Sequence, residues 1–270
     1  MLQHLIAVDL DGTALNSQSQ LSQHTIQTLR RLSQEGHLVS IVTGRPYRIA
    51  EHLYDQLGIN HMPMINFNGA LTHIPHHHWA GEHAFTLDEE LAFDLLDHYR
   101  ELGINTMTVE SKYKVWANKT SSKIPEFLPD HLTEKQLLTR DNVDASPISL
   151  SIQFNAHKVE NLKQKIKKSY GQDVETSVWG GSYDVLELLK KGIHKESALS
   201  YLAQYYHIDQ KNIIAFGDQN NDQEMLDYAG RGVAMKNALP SLKATADDIT
   251  ELDNDHDGMA DYLEHYFHLN

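Results

Sequence analysis

Residues 5–13 read Leu-Ile-Ala-Val-Asp-Leu-Asp-Gly-Thr, a short apolar run that ends in two acidic residues and a glycine. An apolar run of this length, followed by a turn residue, predicts a buried strand of a parallel sheet. Asp9 and Asp11 then lie where a strand leaves the sheet, which is where open α/β sheets bind ligands. Two carboxylates at such a place repel each other unless a cation lies between them. The alternative interpretation is a strand-to-turn junction that the two residues only stabilise.

The same strand-and-helix pattern recurs on both sides of a long insertion. After the first strand come a helix with Ser22 as its N-cap, a strand at 38–42, a second helix and a strand at 64–67. The pattern resumes with a helix at 195–206 and a strand at 213–216. Strands that alternate with helices through short links are typical of βαβ units. The sequence therefore predicts an α/β fold built on a parallel sheet.

The segment between these two parts has a different pattern. It contains strand-like runs without helices between them, one Lys-rich helix at 159–170, and a predicted hairpin of strands 174–179 and 183–189 joined by Gly180-Gly181-Ser182. Strands that pair without crossover helices indicate an α+β domain. The predicted organisation is a core of residues 1–83 and 190–270 with an inserted α+β domain of residues 84–189.

Composition restricts the partners and the compartment. The chain has 270 residues, of which 40% are hydrophobic, enough for one large or two ordinary domains. Its net charge of -14 makes nucleic acids and anionic membrane surfaces poor partners. The absence of cysteine excludes disulfides and thiolate zinc sites and permits a reducing compartment. Met1 leads straight into the first strand without a leader pattern, and no run approaches the ~18 apolar residues needed to span a bilayer, so we expect a cytoplasmic protein with no membrane partner. Nothing in the sequence indicates a large exposed interface, so we infer no obligate protein partner.

Polar residues follow several of the predicted core strands. Asp9 and Asp11 follow the first strand, Thr43 the second and Asp218 the strand at 213–216, while Lys195 opens the helix after the insertion. Because the carboxyl ends of parallel strands meet at one edge, we expect these side chains to converge. Carboxylates, a hydroxyl and an ammonium suit a phosphate ester together with a hard divalent cation such as Mg²⁺.

Each of these residues also has a purely structural interpretation when it is considered alone. Thr43 is a common type of helix N-cap, Lys195 would be a solvated surface lysine, and Asp218 would be a turn residue before a helix. These separate interpretations do not explain why every strand end carries a phosphate-binding or metal-binding group.

Four short motifs in this order resemble those of the haloacid dehalogenase (HAD) superfamily. They are Asp-Leu-Asp-Gly-Thr at 9–13, Thr43-Gly44-Arg45, Lys195, and Gly-Asp-Gln-Asn-Asn-Asp at 217–222. Asn68-Gly69, residues 232–238, residues 257–260 and the place of the insertion are similar to the Cof-type sugar-phosphate phosphatase branch. The chain departs from that branch at Lys236, where glycine is usual, and at Lys190-Lys191, which replaces a proline-containing approach to the lysine.

The resemblance implies a fold and an activity. The fold would be a parallel-sheet, Rossmann-like HAD core with an inserted α+β cap domain that selects the substrate. The activity would be that of a Mg²⁺-dependent phosphatase. It would hydrolyse small phosphorylated metabolites, sugar phosphates among them, through an aspartyl-phosphate intermediate. The partner would be a small-molecule phosphate ester.

The resemblance also implies roles for the motif residues. Asp9 would be the nucleophile and Asp11 the general acid and base, which is consistent with strand side chains two residues apart pointing the same way. Thr43, Gly44 and Lys195 would bind the phosphoryl oxygens. The metal would be held by Asp9, Asp11 and Asp218, with support from Gly12, Thr13, Asn221 and Asp222.

Two other functions remain open from the sequence. A phosphomutase would use the same nucleophile but pass the phosphoryl group to a second sugar hydroxyl. A calcium-binding module is the other alternative, because residues 253–264 satisfy the EF-hand loop pattern with Glu264 at the twelfth place. However, residues 246–250 predict a strand where an EF-hand needs an entering helix.

Overall fold

A computed structural model describes residues 3–120, 132–178 and 184–269. Contacts divide the chain into two compact units. The first comprises Met1–Arg45, Ala50–His83 and His194–Asn270, and the second comprises Pro46–Ile49 and Ala84–Ile193. Among the described residues, no helix is both long enough and apolar enough to cross a membrane.

The described elements follow the expected alternation. The strands β1–β13 are Leu5–Val8, Leu38–Val42, Met64–Asn66, Leu71–His73, His83–Ala84, Ile104–Glu110, Val115–Ala117, Ser149–Phe154, Val174–Val178, Val185–Lys190, Ile213–Gly217, Arg231–Ala234 and Asp248–Ile249. The helices α1–α8 are Gln23–Gln34, Tyr47–Leu57, Glu89–Asp97, Val159–Tyr170, Lys195–Tyr205, Gln223–Tyr228, Pro240–Thr245 and Gly258–Phe267.

A single sheet organises the first unit. Its strand order is β13-β12-β11-β1-β2-β3-β4-β5, and every pair from β13 to β3 is parallel. Strand β1 lies in the middle, with Val8 opposite Phe216 of β11 on one side and Ile41 of β2 on the other. All four residues of β1 are buried, as expected of a central parallel strand. The predicted parallel-sheet core is confirmed.

The sheet continues beyond β3 in a way that the sequence pattern did not indicate. Strand β4 pairs with β3 in the antiparallel direction, after a tight turn at Phe67–Gly69. Asn68 and Gly69 have φ angles of 52° and 111° in that turn, which reverses the chain at once. A strand added without a crossover helix can only be antiparallel to its neighbour.

Helix α1 begins where the sequence predicts it. The side chain of Ser22 accepts a hydrogen bond of 2.9 Å from the backbone N–H of Thr25 and so caps the helix. The buried residues Ile26, Leu29 and Leu32 share one face, and α1 contacts β2 and α8.

The second unit is built on an antiparallel sheet with the order β7-β6-β8-β10-β9. Buried residues of α3, α4 and this sheet form one hydrophobic core that includes Leu91, Trp116 and Ile152. Helix α4 covers the residues that the sequence predicts, and β9 and β10 pair as the predicted hairpin. The turn predicted at Gly180-Gly181-Ser182 lies outside the described residues.

A buried ion pair lies within this second unit. Arg48 donates two hydrogen bonds to the carboxylate of Glu110, at 2.8 Å from Nε and 3.1 Å from Nη2. Burial raises the pKa of Glu110, and the guanidinium of Arg48 opposes that rise. The bidentate geometry is the one that best compensates a buried carboxylate.

Candidate active site

Lys195 is the centre of a buried charge network at the carboxyl edge of the first sheet. Its Nζ atom lies 2.6 Å from Oδ1 of Asp9 and 2.6 Å from Oδ1 of Asp222. Only 1% of the Lys195 side chain is exposed, so the alternative interpretation of Lys195 as a solvated surface lysine is wrong. Burial opposes the charge, but the carboxylates of Asp222 and Asp9 outweigh it and raise the pKa of Lys195. Lys195 is therefore a buried cation shared by two carboxylates.

The side chain of Asp222 stabilises the loop after β11 through hydrogen bonds to the backbone of that loop. Its Oδ1 accepts a hydrogen bond from Nζ of Lys195. Its Oδ2 accepts hydrogen bonds of 3.0 Å from the backbone N–H groups of both Asp218 and Gln219. A Cβ atom at Gly217 would lie 2.4 Å from the Asp222 side chain. Only glycine therefore lets this carboxylate reach the backbone of its own loop.

Asp218 lies against the loop that follows β1. Its Oδ2 accepts a hydrogen bond of 2.9 Å from Nε2 of Gln219, and its Oδ1 accepts one of 3.4 Å from Oγ1 of Thr13. Gly12 has a φ angle of 72°, and a Cβ atom there would lie 2.4 Å from Oδ2 of Asp218. Both the left-handed backbone and the close approach require glycine at this position.

Three buried carboxylates come together in this site. Ligand atoms of Asp9, Asp218 and Asp222 lie within 4.8 Å of one another, the single cluster of this kind found among the described residues. Burial raises the pKa of Asp9, against the opposing charge of Lys195, and raises the pKa of Asp218 to about 6. One ammonium does not balance three carboxylates, so the site suits a divalent cation with a preference for oxygen ligands.

Asp11 is placed differently from the expectation. The strand β1 ends at Val8, and residues 10–14 form a turn, so the argument that Asp9 and Asp11 share one face of a strand is wrong. The carboxylate of Asp11 instead accepts two hydrogen bonds from Arg45, 2.7 Å from Nε and 2.5 Å from Nη2. Its side chain is 57% exposed, compared with 7% for Asp9. The two aspartates follow the same strand but have different partners.

Thr43 and Gly44 lie in the loop after β2, beside the loop after β1. Thr43 is buried, and its Oγ1 accepts a hydrogen bond of 3.1 Å from the backbone N–H of Arg45. Its carbonyl accepts from the N–H of Asn68 at 3.1 Å. A Cβ atom at Gly44 would lie 3.0 Å from Oδ1 of Asn68, so a larger residue would have to displace the Asn68 side chain slightly.

Several asparagines support these loops. The exposed side chain of Asn221 donates to Oδ1 of Asn68 at 2.9 Å, which links the loop after β11 to the turn after β3. Asn237 donates from Nδ2 to the carbonyl of Gly12 at 2.7 Å and accepts from the N–H of Asn254 at 3.1 Å. Asn68 and Asn237 belong to the stretches that resemble the Cof-type branch, but spacing alone assigned no contact to either residue.

Comparison with known proteins identifies the family. The family model described as haloacid dehalogenase-like hydrolase matches residues 6–263. A Bacillus subtilis protein named 5-amino-6-(5-phospho-D-ribitylamino)uracil phosphatase YitU is 32% identical over 98% of this chain and 98% of its own length. A protein of Enterobacter sp. named HMP-PP phosphatase is 30% identical over 89% of this chain and 86% of its own length.

Solved structures agree with this assignment. A haloacid dehalogenase-like hydrolase from Bacteroides thetaiotaomicron aligns with a TM-score of 0.84 and 27% identity, over 98% of this chain and 100% of that chain. The sequence motifs, the parallel sheet and the relatives lead to one conclusion: the chain belongs to the haloacid dehalogenase-like hydrolase family and is a phosphatase of that family.

Proposed function

We propose that this phosphatase hydrolyses small phosphorylated metabolites, sugar phosphates among them, through an aspartyl-phosphate formed on Asp9. The observation that carries the proposal is the contact of 2.6 Å between Asp9 and the buried ammonium of Lys195. This contact orients the carboxylate and places a fixed positive charge beside the point where phosphoryl oxygens would gather. The names of the relatives support small phosphorylated molecules as substrates.

The proposed reaction has two steps. Asp9 attacks phosphorus while Asp11 gives a proton to the departing alcohol, so the carboxylate–phosphorus bond forms as the phosphorus–alkoxide bond breaks. Asp11 then removes a proton from water, which attacks phosphorus and releases Asp9 with inorganic phosphate. Lys195, the hydroxyl of Thr43 and the backbone N–H of Gly44 bind the non-bridging oxygens, since phosphoryl transfer depends mainly on positioning and charge.

We assign the cation to Mg²⁺. Asp9, Asp218 and the backbone carbonyl of Asp11 would hold it. Asp222 is the less available carboxylate, because it accepts from the ammonium of Lys195 and from two backbone N–H groups, whereas Asp218 accepts from a side-chain amide and a hydroxyl. The raised pKa values of Asp9 and Asp218 support this assignment, since both carboxylates are buried without full compensation. When bound, Mg²⁺ offsets the repulsion between the nucleophile and the phosphoryl group. Gly12, Thr13, Asn221 and Asp222 would keep the surrounding loops in place.

We also assign different roles to the two parts of the chain. Residues 1–83 and 190–270 would carry the chemistry, and residues 84–189 would form the cap that selects the leaving group. The chemistry of the site is common to any phosphate monoester, so we expect selectivity among metabolites to depend on the insertion.

The substitution Asp9→Asn tests this proposal. We expect it to lower kcat by at least about a thousandfold, measured as release of free phosphate from p-nitrophenyl phosphate and from a panel of sugar phosphates. Circular dichroism should show an intact fold, because an asparagine oxygen can still accept from Lys195. The matched control is Asp209→Asn at an exposed position. Full turnover in Asp9→Asn, or exchange of phosphate position without net release by the wild type, would contradict the proposal.

A further inference from the structure

The fork between Asp11 and Arg45 has a definite geometry. The guanidinium donates from Nε to one carboxylate oxygen at 2.7 Å and from Nη2 to the other at 2.5 Å. Such paired hydrogen bonds fix the orientation of a carboxylate as well as its position. The loop after β1 and the loop after β2 are therefore joined by side chains.

Arg45 is the fixed member of this pair. Its N–H donates to Oγ1 of Thr43 at 3.1 Å, and its carbonyl accepts from Nδ2 of Asn66 at 3.1 Å and from the N–H of Phe67 at 3.3 Å. The side chain of Arg45 is 11% exposed, whereas that of Asp11 is 57% exposed. These bonds hold the backbone of Arg45, and its side chain is mostly enclosed, whereas the exposed carboxylate of Asp11 has more room to move.

We propose that Arg45 is the positioning residue for Asp11 and acts on the reaction through Asp11, not through the phosphoryl group. This inference rests on the proposed function, in which Asp11 moves protons. While both oxygens of Asp11 accept from Arg45, the guanidinium favours the ionised carboxylate, so one oxygen must leave Arg45 to carry a proton to the leaving oxygen. Arg45 keeps one hydrogen bond during proton transfer and thereby directs the other oxygen of Asp11 to the departing alcohol.

The proposal predicts a dependence on the leaving group. An alkoxide needs a proton as it departs, but p-nitrophenolate is stable without one, so loss of Asp11 orientation should affect alkyl phosphates most. We expect Arg45→Gln to lower kcat/KM, which reports only the steps up to departure of the alcohol, by about tenfold to a hundredfold for glucose 6-phosphate and by only about twofold for p-nitrophenyl phosphate. The larger loss reaches the lower end of the range for general acid catalysis, because Arg45 acts through Asp11. Because Arg45 does not bind the phosphoryl group in this proposal, the inhibition constant of inorganic phosphate should change little.

A double-mutant cycle tests whether Arg45 acts through Asp11. We expect Arg45→Gln to have no further effect on kcat in an Asp11→Asn background, because the group that it orients is already inactive. Arg45→Lys should recover part of the lost turnover, since lysine restores one of the two hydrogen bonds. The control is Arg231→Gln, which removes a single hydrogen bond to Asp248 (2.6 Å) and one to Tyr262 and should leave both substrates unaffected.

Two results would overturn this role of Arg45. One is an equal loss of kcat/KM on both substrates, and the other is a raised inhibition constant of inorganic phosphate that persists in the Asp11→Asn background. Either would mean that Arg45 does not act through the proton that Asp11 gives to the leaving group. These results leave the proposed function intact as long as the wild type releases phosphate and Asp9→Asn does not. If Asp9→Asn remains active, the proposed function fails independently of Arg45.

Discussion

Lys195 is a buried cation, whereas most lysines in proteins are exposed to solvent. Lys195 lies between the carboxylates of Asp9 and Asp222, and together these three side chains carry one net negative charge inside the fold. Removing one member of a buried ionic group is costly, because the charges left behind have neither water nor a partner. The same residue therefore contributes both to the stability of the fold and to the proposed phosphate site.

We expect Lys195→Met to lower the free energy of unfolding by about 3 kcal/mol and to abolish turnover. Methionine has a similar length, so the effect isolates the charge. Urea unfolding at neutral pH measures the change, and Lys211→Met is the control, because Lys211 pairs with Asp209 at the exposed surface. Equal changes in the two variants would show that Lys195 is not stabilised as a buried cation.

The raised pKa of Asp218 has a consequence for stability. The folded protein binds this proton up to pH about 6, whereas the unfolded chain releases it near its ordinary pKa of 3.8. The folded state therefore holds more protons between these two pH values, and its stability falls as the pH rises through them. This contribution is fully present below the unfolded pKa and is lost above the folded one.

In EDTA at pH 7.5 we expect Asp218→Asn to be more stable than the wild type by about 2 kcal/mol, and the difference to vanish below pH about 4. Urea titrations across this pH range measure it, with Asp209→Asn as the exposed control. With saturating Mg²⁺ we expect the order to reverse, because the wild type then gains binding energy that the variant lacks. A wild type that is the more stable protein in EDTA would contradict the prediction.

At the scale of elements, the segment 253–264 has the sequence pattern of a calcium loop but a different structural role. Strand β13, not a helix, precedes it. The carboxylate of Asp257 accepts from Oγ of Ser22 at 2.5 Å and from Oγ1 of Thr25 at 3.2 Å, at the start of α1. Glu264 accepts from Oγ1 of Thr28 at 2.8 Å. These carboxylates hold α8 against α1 and do not surround a common point.

We expect Asp257→Ala to lower the free energy of unfolding by about 1 kcal/mol, since it removes hydrogen bonds at the N-terminus of α1. Asp253 would be the first ligand of a true calcium loop, so Asp253→Ala tests that interpretation. If the loop binds no calcium, millimolar Ca²⁺ should shift the melting temperatures of the wild type and of Asp253→Ala equally. A calcium-dependent shift that Asp253→Ala abolishes would restore the calcium-binding interpretation.

The whole molecule contains two units that each have their own core. Trp79 lies in the first unit, with its ring 4.8 Å from that of Tyr205, and Trp116 is buried in the core of the second. The proposed Mg²⁺ ligands all belong to the first unit. Ligand binding stabilises the unit that binds it by mass action and does not stabilise a unit that unfolds independently.

We expect Mg²⁺ to raise the urea midpoint reported by Trp79 more than that reported by Trp116. At about a hundred times the dissociation constant, the first unit should gain about 2.7 kcal/mol. Two single-tryptophan variants separate the two fluorescence signals: one keeps Trp79 and carries Trp116→Phe and Trp179→Phe, and the other keeps Trp116 and carries Trp79→Phe and Trp179→Phe. Titrations in EDTA provide the baseline. Identical shifts of the two midpoints would mean that the chain unfolds as one cooperative unit.

Much of the architecture could be predicted from local patterns. The apolar runs of β1, β2 and β11, the N-cap at Ser22 and the extent of α4 are encoded by residues near one another in the sequence. The antiparallel strand β4 was missed, because three residues after a tight turn carry too little periodicity to indicate a strand.

The order of the motifs, and the strand ends at which they lie, follow from local sequence patterns, since apolar periodicity and turn residues act over short stretches of chain. The burial of each charged group and its ion-pair partner depend instead on the folded structure. Asp9 meets Lys195 across 186 positions, and Asp11 meets Arg45 across 34, instead of sharing a face with Asp9. Burial and ion pairing depend on which distant segments the fold brings together, and no local pattern contains that information.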